Sequence, residues 1–523
     1  MILGDPTSSS HAESLGRITL DELFSRAAAR RPDATALVDP ASRSSLIIGP
    51  PPRRLSYAEA DRMVSAIAAR LRALLPADTV VGIQMPQTID AILAILGVLR
   101  AGLIAAPLPL LWRRADLVTA LGRAGAKALV AGRRNGGFDY AQSALHVAAE
   151  VFSVRYVCGF GGDLPDGMVA LDDMSAAADA EALPPLDRDG NAAAHLAAIT
   201  FEMSEHGPVP VARRHLELLA GGLGVLLESG IAANTAILST MVPASFAGLC
   251  LTMVPWLLSG GTLVLHKPFD AEIFTRQWRD EKCSKLVLPG PVAFSLAQIA
   301  ALPTPATIIA TWRAPERVAD SPDWTQFGAP LIDVSLFGEA ALVALKRSGD
   351  GKPNALPLGP VLAPSIGTDG VTVAEVTVTS KSTIALRGSM VPRHTFPPGI
   401  DQSDQPHFAI GENGAVDTGY ACRTDLLNNT VKVTGTPAGV VNVGGSRLPL
   451  ALSRDKIARI DAAATLDVAP DLLLGHRLVG TTADPQTMQA ALAAAGQNPL
   501  LAHAFAAQAA PNEGAGEAAA AVA

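Results

Sequence analysis

Short apolar runs alternate with capped amphipathic helices along the first two thirds of the chain, and this alternation constrains the fold more than any other feature. Thr19 with Glu22, and Ser56 with Glu59, each pair an N-cap hydroxyl with a carboxylate three residues on. That spacing satisfies amides otherwise orphaned at a helix start. Behind the second pair, Ala60, Met63, Val64, Ile67, Leu71 and Leu74 recur every three or four residues, as one face of a helix requires. The run 80–85 then reads as a buried strand, Thr88 onward as a helix, and 127–131 as another strand. Asp270 predicts the cap of a helix carrying Ile273, Phe274 and Trp278, followed by the apolar run 285–288 and the breaker Pro289-Gly290-Pro291. Strands separated by helices pair in parallel, so the fold class is a layered α/β architecture.

A chain of 523 residues exceeds one ordinary core. With 49 % hydrophobic and 17 % charged residues, most of it must fold. After about residue 345 the texture changes, and 371–380 and 382–386 are β-rich without a helical period. The expected organisation is a large N-terminal lobe, 1–434, made of two α/β subdomains (19–198 and 199–345) and a β-rich, barrel-like part (346–434). A small, shortened α+β lobe follows at 435–505, entered through Gly435-Thr436-Pro437-Ala438-Gly439, and the Ala/Gly/Glu-rich tail 506–523 is expected to be disordered.

The net charge of −8 offers no footprint for nucleic acid. No basic region followed by an apolar run opens the chain, so no signal peptide is expected. The apolar stretch 91–112 is interrupted by Arg100, Gly102, Pro107 and Pro109, and reads as a buried helix and a strand rather than a membrane span. Cys158, Cys250, Cys283 and Cys422 form no C-x-x-C pair and read as buried thiols in a reducing, cytoplasmic setting.

Several blocks carry a resemblance in their order. They are Val81-Gly82-Ile83-Gln84-Met85-Pro86 with Gly97 to Gly102 and Ala106-Pro107-Leu108-Pro109; Ser259-Gly260-Gly261-Thr262; Thr383 to Gly388; Asp417-Thr418-Gly419-Tyr420; and Val443-Gly444-Gly445-Ser446-Arg447. Together they resemble the adenylate-forming superfamily of acyl- and aryl-CoA synthetases, luciferases and nonribosomal-peptide adenylation domains. The resemblance implies a carboxylic acid or acyl thioester as substrate, with ATP, Mg²⁺ and CoA as cofactors. It also implies an acid pocket lined by 241–256 and 331–337.

Departures from the family pattern fall on the nucleotide-handling blocks. Where the family has a glycine- and hydroxyl-rich phosphate loop with a lysine, this chain carries Thr200, Glu202, Ser204, Glu205, His206 and Gly207. One glycine remains, and each new carboxylate would oppose a phosphate charge by about 3 kcal/mol at ~5 Å and an effective dielectric near 20. In the ribose block the family's aspartate is replaced by Tyr420, which fills the nucleoside space or stacks on its occupant; Asp417 either substitutes or serves the turn with Thr418 and Gly419. Phe337 and Gly338 correspond to the adenine block. Glu339 is either the catalytic, Mg²⁺-holding carboxylate or a carboxylate at a helix N-terminus. Gly444, Gly445 and Arg447 form either the turn that approaches the pantetheine arm or a structural turn.

The last lysine is Lys456, so no ammonium follows where the family's catalytic lysine lies. The expectation is a cleft that has turned acidic and lost its cationic help: an acid-binding pseudoenzyme or ATP-independent homologue, with a biosynthetic enzyme as its partner. The alternative is an active AMP-forming acid:CoA ligase using non-standard residues.

Overall fold

A computed structural model describes residues 17–46, 51–161, 163–172, 190–299, 306–324, 328–364 and 371–506. Both capping boxes form, opening the helices Leu20–Arg30 and Tyr57–Leu74, and the Asp270 side chain caps Ala271–Asp280. The apolar stretch resolves into the helix Ile89–Arg100 and the strand Ile104–Pro107. No helix among the described residues is long and apolar enough to cross a membrane.

Two mainly parallel sheets make the large lobe. The seven-stranded one has Val80–Gln84 between Ile104–Pro107 and Ala128–Ala131, and ends in the antiparallel hairpin of Leu196–Ser204 with Gly207–Arg214. The eight-stranded one runs Ala341–Lys346, Leu331–Phe337, Thr307–Trp312, Lys285–Pro289, Ala236–Ser239, Thr262–Leu265, Thr35–Val38 and Arg54–Ser56. Only its two edge strands are antiparallel. The chain therefore crosses between sheets, and the expected division at 198/199 does not follow them. Thr35–Val38 and Arg54–Ser56 join the second sheet, whereas the strand Gly207–Arg214 completes the first.

The β-rich region forms a six-stranded antiparallel sheet from Leu356–Pro357 to Thr430–Gly435. The C-terminal region has a four-stranded sheet with the helices Leu450–Ala458, Pro485–Ala494 and Pro499–His503. Apart from residue 506, the expected tail lies outside the described residues.

Small residues set the layer spacing. Gly97 lets Ile89–Arg100 lie directly on Tyr57–Leu74, because a Cβ there would sit 2.4 Å from Ile67 Cγ2 and 2.8 Å from Ile67 Cβ. Gly97→Ala gains about 1 kcal/mol of helix propensity but overpacks a rigid β-branched neighbour, at about 1–3 kcal/mol. A net loss in urea unfolding is the expected outcome; a variant as stable as the parent would show that the two helices can move apart.

Candidate functional site

In both large sheets the carboxyl ends of the parallel strands point at one cleft. Ala236–Ser239 is followed by Thr240, Met241 and Val242; Thr262–Leu265 by Lys267, Pro268 and Phe269; Thr307–Trp312 by Arg313 and Ala314. From the other sheet, Val80–Gln84 leads to Pro86 and Gln87, and Ile104–Pro107 to the segment 109–113. All of these residues line a cavity of about 1080 Å³. Open parallel sheets hold ligands beyond their carboxyl ends, where the strand order reverses. Ala236–Ser239 is such a point, with its successors Thr262–Leu265 and Lys285–Pro289 on opposite sides.

The segment matched to the phosphate loop is a regular hairpin. Ser204 pairs with Gly207 across the two-residue turn Glu205-His206, and Gly207 takes the positive φ of +87°. The Ser204 hydroxyl is occupied by the turn: it accepts the His206 N–H at 3.1 Å and donates to the Gly207 carbonyl at 2.9 Å. Thr200 is fully buried, and its hydroxyl lies near the Glu339 carboxyl without a geometrically sound hydrogen bond. Glu205 and His206 are exposed.

Glu202 has a different role from the one expected of a loop carboxylate. It pairs with Arg447 of the C-terminal sheet, and it accepts the Glu339 N–H at 2.6 Å. Gly338, at φ +58°, permits this meeting; a Cβ there would stand 2.2 Å from Glu202 Oε2 and 2.7 Å from an Arg447 nitrogen. The hairpin, the Gly338-Glu339 turn and the C-terminal turn thus meet through one ion pair.

Glu339 lies in the turn between Leu331–Phe337 and Ala341–Lys346, not at the start of a helix of its own. Its carboxyl accepts the Phe246 N–H at 2.8 Å, the first amide of the helical run that opens there. Burial pushes this carboxyl above the ordinary range, while the nearby Arg213 and Arg313 guanidiniums pull it back. Two guanidiniums beside one amide-bonded carboxyl oppose a divalent cation, so the surroundings of Glu339 do not fit Mg²⁺. Among the described residues no group of three or more His, Cys, Asp or Glu could hold a metal ion.

The ribose-block residues do not line the cavity. Asp417 is exposed and accepts the Gly419 N–H at 2.9 Å, so it serves its own turn, while Thr418 donates to the Ile384 carbonyl at 2.7 Å. Tyr420 is 1 % exposed, with its ring edge-on to Phe337 at 5.5 Å. Gly444, Gly445 and Arg447 do line the cavity.

The expectation of an acidic cleft without cationic help is corrected by the tertiary structure. Among the described residues, Arg43, Arg113, Lys267, Arg313, Arg317 and Arg447 line the cavity against three carboxylates, Glu202, Asp270 and Glu339. Sequence reasoning missed Lys267 and Arg313 because each follows a different strand and belongs to no local motif.

Comparison with known proteins agrees with this architecture. Residues 24–201 match the family model described as AMP-binding enzyme. The solved amide bond synthetase McbA from Marinactinospora thermotolerans superposes with a TM-score of 0.72 at 17 % identity, over 92 % of this chain and 94 % of that one. ATP-bound MatB from Rhodopseudomonas palustris gives 0.58 at 18 % identity, over 91 % and 92 %. A 90-residue stretch, 17 % of this chain, is 38 % identical to the beauvericin nonribosomal cyclodepsipeptide synthetase BEA1 of Gibberella fujikuroi (strain CBS 195.34 / IMI 58289 / NRRL A-6831); it spans 2 % of that synthetase's length. The chain thus shares the fold of these solved enzymes over most of its length, and residues 24–201 carry the match to the AMP-binding enzyme family.

Proposed function

We propose that this chain binds a carboxylic acid or its thioester in the cleft and that its nucleotide site is impaired, leaving an acyl-CoA synthetase-like protein with little or no ATP-dependent turnover. The observation that carries the reading is the closed hairpin at Ser204–Gly207, in which the Ser204 hydroxyl is used within its own turn. A phosphate cradle needs several backbone amides converging on one point, and a two-residue turn in a continuous ladder does not present them. The burial of Tyr420 against Phe337, in the block matched to ribose binding, supports the same reading. For the acid, Trp112, Phe201, Met241 and Trp312 supply apolar walls suited to an acyl chain or aryl ring. A cytoplasmic role beside a biosynthetic enzyme belongs to this reading, with the free thiols of Cys158, Cys250, Cys283 and Cys422 as its support.

A second reading, an active AMP-forming acid:CoA ligase, is favoured by the cationic lining and by the neutralisation of Glu202 by Arg447. ATP–pyrophosphate exchange with a panel of fatty and aryl acids separates the two. The expected result is no exchange above a Glu339→Ala control, together with a melting shift of several degrees with one class of acid or CoA thioester. Acid-dependent exchange above that control would establish the second reading.

A further inference from the structure

Most charges lining the cavity are already answered. Arg43 pairs with Asp39 and Asp90, both at 3.0 Å or closer, and Arg447 pairs with Glu202. Arg113 lies 3.8 Å from the Phe138 ring centroid, and Arg317 donates to the Leu472 carbonyl at 2.8 Å. Asp270 caps its helix through the Ile273 N–H. Lys267 and Arg313 differ from all of these: among the described residues, neither side chain has an ion-pair or hydrogen-bond partner.

The two stand on loops that leave the eight-stranded sheet at Thr262–Leu265 and Thr307–Trp312, with Ala236–Ser239 and Lys285–Pro289 between those strands. Their side chains are long enough to approach over the intervening strand ends, and both line the same cavity. Thr240, Met241, Pro289 and Thr311, which line the same cavity, are neutral. Glu339 offsets Arg313 in part, but it is shared with Arg213 and bonded to the Phe246 amide. Two half-buried cations lining one cavity without acceptors leave a positive field that a ligand of opposite charge would neutralise.

We propose that Lys267 and Arg313 form a subsite for a dianionic, oxygen-bearing ligand, and that the acid bound in this cleft is a dicarboxylic acid. This rests on the acid-pocket reading above. An apolar skeleton fits the Met241 and Trp312 walls, with one of its two carboxylates meeting Lys267 and the other Arg313. A single monocarboxylate leaves one of the charges unanswered, which is why the class is dicarboxylic. Inorganic phosphate or pyrophosphate offers the same oxygen chemistry without the apolar skeleton.

Calorimetric titration of the full chain with matched acids tests the proposal: benzoate against the three phthalate isomers, hexanoate against adipate, with phosphate and pyrophosphate as separate arms. At least one diacid is expected to bind about ten-fold or more tightly than the monoacid of the same skeleton. Lys267→Met should erase that preference, and Lys267→Arg should keep it. The preference should also fade as pH rises through about 8, to which burial and Arg313 lower the Lys267 ammonium. The other ionisable groups lining the cavity are Arg43, Arg113, Tyr140, Glu202, Asp270, Arg313, Arg317, Glu339, Arg447 and His503, with His266 next to Lys267 in the chain.

Equal affinities for mono- and diacid, or a preference that survives both Lys267→Met and Arg313→Met, would overturn the subsite while leaving the acid pocket standing. Lys267-dependent binding of pyrophosphate with no diacid preference would overturn the carboxylate assignment. Absence of binding by every acid would remove the pocket reading and the subsite together.

Discussion

Arg213→Met is expected to cost about 3–5 kcal/mol of stability, the range seen when one partner of a buried charge cluster is removed. Arg213 is fully buried, with its guanidinium 3.9 Å from the Phe246 ring centroid and a donor 2.8 Å from the Met390 carbonyl. Its charge acts on Glu339 and Glu217, both of which burial holds above the ordinary carboxylate range. Without Arg213 these carboxyls rise further, so the folded variant holds protons that the unfolded chain releases near the ordinary value of about 4.5. The sign follows: the deficit relative to the parent is small at low pH and grows as pH rises through and above that value. Urea unfolding at pH 5 and pH 8 measures it. A loss under about 1 kcal/mol at both would mean that the two carboxyls do not depend on Arg213. Adding Glu339→Gln, which removes one of the stranded charges, should recover part of the loss.

Tyr420→Ala is expected to cost about 3–5 kcal/mol, as for other large buried rings. The ring packs edge-on against Phe337 between the six- and eight-stranded sheets, and its hydroxyl reaches the Arg313 carbonyl only at 3.4 Å. Tyr420→Phe should therefore lose less than about 1 kcal/mol, because that bond is long. Tyr420→Asp, which would restore the ribose-binding residue of the family pattern, is expected to destabilise the protein rather than rebuild a nucleotide site. It places a carboxylate in a buried position whose neighbours include Glu316. Equal, small losses for the Ala and Phe variants in thermal unfolding would show that the ring is not a packing element. A stable Tyr420→Asp protein that binds ATP would reverse the reading of this block.

Much of the layered fold was legible in the linear pattern, for local reasons. Capping boxes at Thr19 and Ser56, the helical stripe from Ala60 to Leu74 and the strand at Val80–Gln84 depend on neighbours within a few residues, and each formed where expected. The site was legible only in its parts. Glu202, Gly338, Glu339 and Arg447 could each be singled out, yet nothing local joins a hairpin, a turn and a second lobe into one ion-paired cluster.

The sequence by itself determined the α/β class and the helix starts, because periodicity, capping and turn chemistry are short-range. Only the tertiary structure decided the charge of the cleft. It pairs Glu202 with a residue 245 positions away and brings Lys267 and Arg313 to one wall from separate strand ends. Electrostatic energy depends on distance and burial in space, and neither can be read from position along the chain.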